Sequence, residues 1–207
     1  MPAIIARVIL PIISSSIGHS AKELRESIDI HFHTCCIVAL PVSVLLIVFT
    51  EPMAMIFGKQ FVGTERIIPL LMLSVYFAAI NQSLRVIYDG VGKRWLNLSM
   101  WVLWGVVFLS ATVYYVPKTG AVGFALAHLA GEIVLLVVQA VYVDLFLVKS
   151  VLRRHLALFA FCVALLAAAY ATKFSMSQWM AYVSGLFILI TSCIPILVSL
   201  KDRSADP

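Results

Sequence analysis

The stretch Trp95–Pro117, WLNLSMWVLWGVVFLSATVYYVP, contains no Asp, Glu, Lys or Arg. Two further stretches, Ile30–Thr50 and Phe174–Leu200, also lack these four residue types. A helix rises about 1.5 Å per residue and the apolar core of a bilayer is about 30 Å thick, so each stretch is long enough to cross it. These runs predict an all-α protein, a polytopic bundle of transmembrane helices.

The composition of the whole chain supports the same class of protein. Of the 207 residues, 62% are hydrophobic and 12% are charged, whereas soluble domains average about 45–50% apolar and about 25% charged residues. Hydrophobic segments continue to the end of the chain, so cleavage of an N-terminal signal would still leave the protein in the membrane. The net charge of +5 lies in short loops without interleaved aromatic residues, which argues against nucleic acid as a partner.

The charged loops divide the chain into six to seven spans and a short tail. Residues 1–16, interrupted by Arg7, are too short for a complete span and are predicted to be the end of one. The other predicted spans cover 28–49, 67–88, 95–116, 121–146, 155–172 and 178–200, with a tail at 201–207. Lys and Arg are concentrated in the loops on the side of this tail, so the positive-inside rule predicts a cytoplasmic C-terminus.

Two local patterns predict structure within this bundle. In the 50–66 loop, Thr50 is a possible cap, Pro52 suits a first helical turn and Gly58 can end the turn, which predicts a short interfacial helix on the external face. Gly123, Ala127 and Gly131 recur every four residues, so they share one helical face. Small residues on such a face allow another helix to approach closely.

Polar and ionisable residues inside the spans are the candidate functional groups, because they are costly in a bilayer. Glu132 lies near the middle of its span with His128 one turn earlier, and the two are candidates for coupling-ion or proton relay. The alternative is a structurally paired glutamate. Arg85, preceded by Asn81 and Gln82, is a candidate for binding a phosphate or a sugar carboxylate. Arg7 is a second candidate for this role.

The alternative for Arg85 is that its side chain extends to the cytoplasmic headgroups and pairs with Asp89, four residues later. A metal site at His31, His33 and the nearby Cys35 is not expected, because the two histidines point in different directions on a helix and no carboxylate completes a tetrahedral set. The chain also lacks GxSxG, Walker A and HExxH motifs, so no catalytic residues and no cofactor are predicted. The sequence therefore indicates a membrane protein that is not an enzyme.

Four stretches resemble the C-terminal half of bacterial polysaccharide (O-antigen) flippases, within the multidrug/oligosaccharidyl-lipid/polysaccharide exporter superfamily. They are Val8–Ser14 (VILPIIS), Leu40-Pro41 followed by Glu51–Gly58 (EPMAMIFG), Asp89–Lys93 (DGVGK) and Gly120–Ala127 (GAVGFALA). The resemblance covers roughly residues 1–145. Their order and spacing carry it more than any one motif does.

The resemblance implies one lobe of a two-lobed exporter in the bacterial cytoplasmic membrane. It implies translocation of undecaprenyl-pyrophosphate-linked oligosaccharide repeat units for polysaccharide or lipopolysaccharide biosynthesis. Arg7 and Arg85 would then line a cationic cavity, and Glu132 would serve coupling. Because family members usually have twelve or more spans, we expect this chain to pair with a separate N-terminal half or with itself, and to work beside polysaccharide assembly proteins.

Other functions stay open at this stage. Within the same superfamily, the alternatives are a cation-coupled multidrug exporter and a peptidoglycan-precursor flippase. From other classes, they are an integral-membrane glycosyl or acyl transferase and a non-transporting scaffold of an assembly complex. A transferase is expected to carry a catalytic acid or histidine in a sizeable loop, and the sequence shows none.

Overall fold

The computed structural model describes residues 21–58, 66–90, 92–147, 151–175, 185–186, 188 and 190–191. They form six α-helices: α1 Ala21–Val48, α2 Thr50–Phe57, α3 Ile67–Gly90, α4 Arg94–Thr119, α5 Ala121–Tyr142 and α6 Val151–Ser175. A π-helical segment, Val143–Leu147, extends α5. No strand occurs among the described residues, so the all-α prediction is confirmed. The predicted partial span 1–16, the tail 201–207 and most of the span 178–200 lie outside them.

Three of these helices are long and apolar enough to cross a membrane. They cover Ile67–Asp89, Arg94–Thr119 and Ala121–Phe146. The α4 helix buries only 6% of its apolar segment inside the protein, against 56% for Ile67–Asp89. Large apolar side chains such as Val106, Leu109 and Val113 are therefore exposed along α4, as expected for a face that contacts lipid.

The α1 and α2 helices form a bent pair. Residues Phe32–Val48 and Thr50–Ile56 meet at 70°, and counted as one broken span they raise the described spans to four. The Thr50 hydroxyl donates to the carbonyl oxygens of Leu46 at 2.9 Å and Ile47 at 2.8 Å. The predicted helix is present and ends at Gly58, but Thr50 stabilises the end of α1 and does not cap α2, whose N-cap is Phe49.

A tight turn joins α4 to α5. Gly120 has φ of +60°, a backbone conformation that disfavours residues with a Cβ atom. A Cβ atom on Gly123 would lie 2.5 Å from the Tyr115 carbonyl oxygen, and one on Gly131 would lie 3.1 Å from Trp104 Nε1. Gly123, Ala127 and Gly131 are all buried. The prediction that this face admits a close helix is confirmed, and that helix is α4.

The described residues belong to two compact units. One contains α1 up to Cys35, α3 from Phe77, and α4 and α5. The other contains α1 from Cys36, α2, α3 up to Tyr76, and α6 from Leu158. In the second unit, buried residues recur at helical spacing on α1 (Leu40, Val44, Ile47) and on α6 (Cys162, Leu166, Ala169). The candidate functional residues lie in the first unit.

Candidate functional site

The α3 and α5 helices run in the same direction in the first unit, and two interhelical contacts fix their register. The Asn81 side-chain amide donates to the Glu132 carboxylate, and the Tyr88 hydroxyl donates to the backbone carbonyl oxygen of Gln139 at 2.9 Å. Both contacts join residues that are 51 positions apart. Seven residues separate them on each helix, which is nearly two turns, so these side chains leave each helix on the same side. We call the group Asn81, Arg85, Tyr88, Glu132 and Gln139 the polar seam.

The Asn81–Glu132 pair has the shortest hydrogen bond described in the polar seam. Asn81 Nδ2 lies 2.6 Å from Glu132 Oε2 and 3.0 Å from the Glu132 carbonyl oxygen. Asn81 is fully buried and Glu132 is 4% exposed. A buried carboxylate is stabilised by hydrogen-bond donors, and the Asn81 amide supplies two of these bonds from a neighbouring helix. Glu132 is thus paired within the helix bundle.

Arg85 lies one turn after Asn81 and packs against an aromatic ring. Its Cζ atom lies 3.7 Å from the centroid of the Trp101 ring on α4. The side chain is 6% exposed, and Nε has no hydrogen-bond partner among the described residues. The guanidinium is therefore held against the Trp101 ring by a cation–π contact.

Asp89 forms its own hydrogen bonds at the α3–α4 turn. The side-chain amide of Asn97 donates to both carboxylate oxygens of Asp89, at 3.0 and 3.1 Å. Close to this turn, Lys93 Nζ donates to the Tyr142 hydroxyl at 3.2 Å. The hydrogen bonds of Asp89 go to the first turn of α4, while the Arg85 guanidinium stacks on Trp101.

His128 lies in an aromatic cluster between α4 and α5. Its ring centroid is 5.7 Å from that of Trp104 and 5.9 Å from that of Phe108, both edge-on. Trp104 and Phe108 stack at 5.0 Å. His128 Nδ1 and Trp104 Nε1 are both buried without a hydrogen-bond partner in the described part of the chain. The structure thus pairs Glu132 with Asn81, and it packs His128 against rings.

The remaining candidates from the sequence differ in position. Gln82 is half-buried on α3, next to Asn81. Arg7 lies outside the described residues.

Within the described residues, no group of three or more His, Cys, Asp or Glu side chains is placed to hold a metal ion. Cys35, Cys36 and Cys162 are buried.

Sequence reasoning missed two residues of this region. Trp101 was not singled out, although its ring contacts the Arg85 guanidinium and its side chain is 47% exposed. Gln139 was not singled out, although it is fully buried and its side-chain Oε1 and Nε2 both lack a partner among the described residues. Its spacing of seven residues from Glu132 is the signal that places both on one helical face.

Comparison with known proteins gives one structural likeness. No protein-family model and no curated protein matches the chain. The structure is similar to that of "Lipid II flippase MurJ, inward closed conformation", with a TM-score of 0.66 and 19% sequence identity. The match covers 97% of this chain and 43% of that chain, so this chain spans less than half the length of the solved protein. The chain therefore has the helical membrane fold of part of this flippase.

Proposed function

We propose that this chain is part of a flippase for lipid-linked saccharides in the bacterial cytoplasmic membrane. The observation that carries the proposal is the match of 97% of the chain to a lipid II flippase at a TM-score of 0.66. The multi-pass apolar helices and the resemblance to polysaccharide exporters support the same class. The chain acts as a transporter with a cytoplasmic C-terminus, and it uses no catalytic chemistry and no cofactor.

The substrate we propose first is an undecaprenyl-pyrophosphate-linked oligosaccharide repeat unit used for O-antigen or lipopolysaccharide synthesis. Arg85 supplies a planar cation with several donors, which suits an anionic pyrophosphate. Its guanidinium is covered by Trp101 in the described conformation. Substrate binding therefore requires the indole to move away or the guanidinium to turn, with Asn81, Gln82 and Arg7 as further polar contacts.

Transport of a lipid-linked saccharide by alternating access needs an energy input and a second lobe. We propose that Glu132, with His128 one turn away, responds to a coupling ion or proton, because a buried glutamate changes its interactions when it is protonated. Alternating access takes place between two lobes, and this chain supplies one. The other is a separate N-terminal half or a second copy, and polysaccharide assembly proteins are further partners.

A second candidate substrate is the peptidoglycan precursor lipid II. The specific observation that favours it is the solved structure to which this fold is similar, a lipid II flippase. Both candidate substrates join a pyrophosphate to a saccharide on a polyprenyl chain. The Arg85 contact suits both, so the sugar distinguishes them.

The proposal is tested by removing the chain from the bacterium that makes it and extracting lipid-linked saccharides from the cells. Accumulation of the oligosaccharide repeat unit in the cytoplasmic leaflet supports the first substrate. Accumulation of lipid II supports the second. If neither accumulates and exported polysaccharide and peptidoglycan are unchanged, the flippase proposal is rejected.

A matched pair of variants links the test to the site. The deletion strain is complemented with Arg85→Ala and, as a control, with Trp95→Ala, which changes an 82% exposed side chain at the start of α4. We expect the control to restore export and Arg85→Ala to fail at an equal protein level. Restoration by both variants would remove Arg85 from the substrate site and leave the class of transporter to the deletion result.

A further inference from the structure

The outward side of α4 is apolar next to the α3–α4 turn. The side chains of Leu98, Trp101 and Val102 are 51%, 47% and 59% exposed. The rise from Arg94 to Val102 is about 12 Å, which is less than the half-thickness of about 15 Å of the apolar core of a bilayer. This side of α4 therefore lies within the depth of one leaflet, where it meets acyl chains.

A gap interrupts this surface at Gly105. Trp101 and Leu109 lie four residues before and after Gly105, so the three residues share one helical face. Leu109 is 62% exposed, and a Cβ atom on Gly105 would meet no atom within 4 Å. A helix that docks closely needs small residues repeated along the face, whereas the two neighbours of this single gap are large. A flexible acyl chain fits between them.

Two cations lie where this surface reaches the α3–α4 turn. Lys93 and Arg94 are both exposed, and Lys93 Nζ donates to the Tyr142 hydroxyl at 3.2 Å. The Arg94 guanidinium has no ion pair among the described residues. Arg85 adds a third positive charge behind the Trp101 ring. An anionic headgroup is the electrostatic complement of this end of the surface.

The carboxylates at the same end leave the two exposed cations available. Asn97 donates to both oxygens of Asp89 at 3.0 and 3.1 Å, which holds this carboxylate against the first turn of α4. Asp144 lies two residues after Tyr142, about half a helical turn away from the ring that Lys93 contacts. Among the described residues, three cations and two carboxylates therefore lie at this end.

We propose that α4 docks a phospholipid with an anionic headgroup on this surface. We call the surface the lipid face, and it consists of Lys93, Arg94, Leu98, Val102 and the gap at Gly105. The lipid phosphate lies at the two cations, whose side chains donate to its oxygens. One acyl chain follows Leu98 and Val102 into the gap. Because the apolar part accepts any acyl chain, the headgroup charge selects the lipid.

This inference goes beyond the proposed function, because the docked phospholipid is a resident of the membrane and not the exported carrier. It rests on that function only for the leaflet, which is the cytoplasmic one in the proposed orientation. Since phospholipid covers the lipid face, the second lobe contacts another side of the chain.

The test is quenching of tryptophan fluorescence by phospholipids that carry bromine on their acyl chains. The full chain is reconstituted in phosphatidylcholine vesicles, in which an equal share of lipid is replaced by brominated phosphatidylglycerol or brominated phosphatidylcholine. Trp101, beside the gap, is the reporter, and its emission is the difference between the wild-type protein and Trp101→Phe. We expect the anionic lipid to quench Trp101 with an apparent affinity about two- to five-fold higher than the zwitterionic lipid.

Two outcomes with the wild-type protein would overturn the proposal. Equal affinities would show that the face accepts lipid without selecting a headgroup. Absence of quenching by both lipids would show that protein, such as a second copy of the chain, covers the face.

Two variants assign the preference to the cations of the lipid face. Arg94→Gln removes an exposed cation at this end, so we expect the preference to fall by about twofold or more. Lys118→Gln removes an exposed cation at the opposite end of α4 and should leave the preference unchanged. An unchanged preference in Arg94→Gln, or an equal fall in both variants, would also overturn the proposal. Since quenching does not depend on transport, a failed flippase assay leaves this result intact.

Discussion

Asn81 donates a 2.6 Å hydrogen bond to the Glu132 carboxylate, and this contact joins α3 to α5 at a level where both residues are buried. The same amide nitrogen also bonds the Glu132 carbonyl oxygen at 3.0 Å. The carboxylate is consequently held by a neutral donor, while the Arg85 cation one turn along α3 stacks on Trp101. Because Asn81 bonds the Glu132 carboxylate and Arg85 stacks on Trp101, the guanidinium has no fixed carboxylate partner in the described part of the chain.

The first prediction concerns the energy of the Asn81–Glu132 contact. Asn81→Ala leaves a buried carboxylate without its donor, so we expect the free energy of unfolding in detergent to fall by about 2–4 kcal/mol. Combined with Glu132→Leu, the two losses should be less than additive, because the second change removes the orphaned group. Gln82→Ala, at the neighbouring half-buried position, is the control. Strict additivity in this cycle would show that the two side chains do not interact.

The second prediction concerns Trp101. Replacing it with Ala removes the ring from Arg85 and should lower the free energy of unfolding by about 1–2 kcal/mol. Trp101→Phe should recover part of this loss, because a smaller ring still attracts the cation. Trp95→Ala on the same helix should change little, since its side chain is 82% exposed. An equal effect of both alanine variants would contradict the cation–π contact.

The third prediction compares two glycines of the α4–α5 hairpin. A Cβ atom on Gly123 would lie 2.5 Å from the Tyr115 carbonyl oxygen, whereas one on Gly105 has open space around it. Gly123→Ala should therefore destabilise the protein by about 1–3 kcal/mol. Gly105→Ala lies inside α4 and should stabilise it by up to about 1 kcal/mol, because alanine favours a helix. Thermal unfolding of both variants measures the difference, and the same sign for both would refute it.

The fourth prediction concerns coupling. Glu132→Gln keeps a side-chain oxygen that can accept from Asn81, so we expect the protein to stay folded and transport to lose its response to an imposed ion or proton gradient. The measurement is the rate of lipid-linked saccharide export in vesicles with and without the gradient. Ile133→Leu, at the adjacent 41% exposed position, serves as the control. Unchanged gradient dependence in Glu132→Gln would reject a coupling role.

The helices were predictable from the sequence because a bilayer requires about 20 consecutive apolar residues, and that requirement is read directly from runs such as Trp95–Pro117. The small face at Gly123 and Gly131 was predictable for a similar reason, since periodicity within one helix reveals it. The partner of that face was not predictable from spacing alone. The structure identifies it as α4, the preceding helix.

The side-chain contacts of the site were harder to predict, because they lie between helices. Spacing of four residues suggested contacts of Arg85 with Asp89 and of Glu132 with His128. In the structure, both Arg85 and Glu132 also have contacts from other helices, with Trp101 stacking on Arg85 and Asn81 bonding Glu132. A single sequence contains the faces of each helix but not the register between two helices, and that register selects the partners.

The most direct test of the central claim is export of lipid-linked saccharide in cells that depend on this chain. External hydrolysis of the lipid-linked pool measures the fraction that has reached the outer leaflet. We predict that deletion of the chain and Arg85→Ala both trap the lipid-linked saccharide in the cytoplasmic leaflet, while Trp95→Ala restores its export. An unchanged outer-leaflet fraction for both the repeat unit and lipid II after deletion would contradict the account.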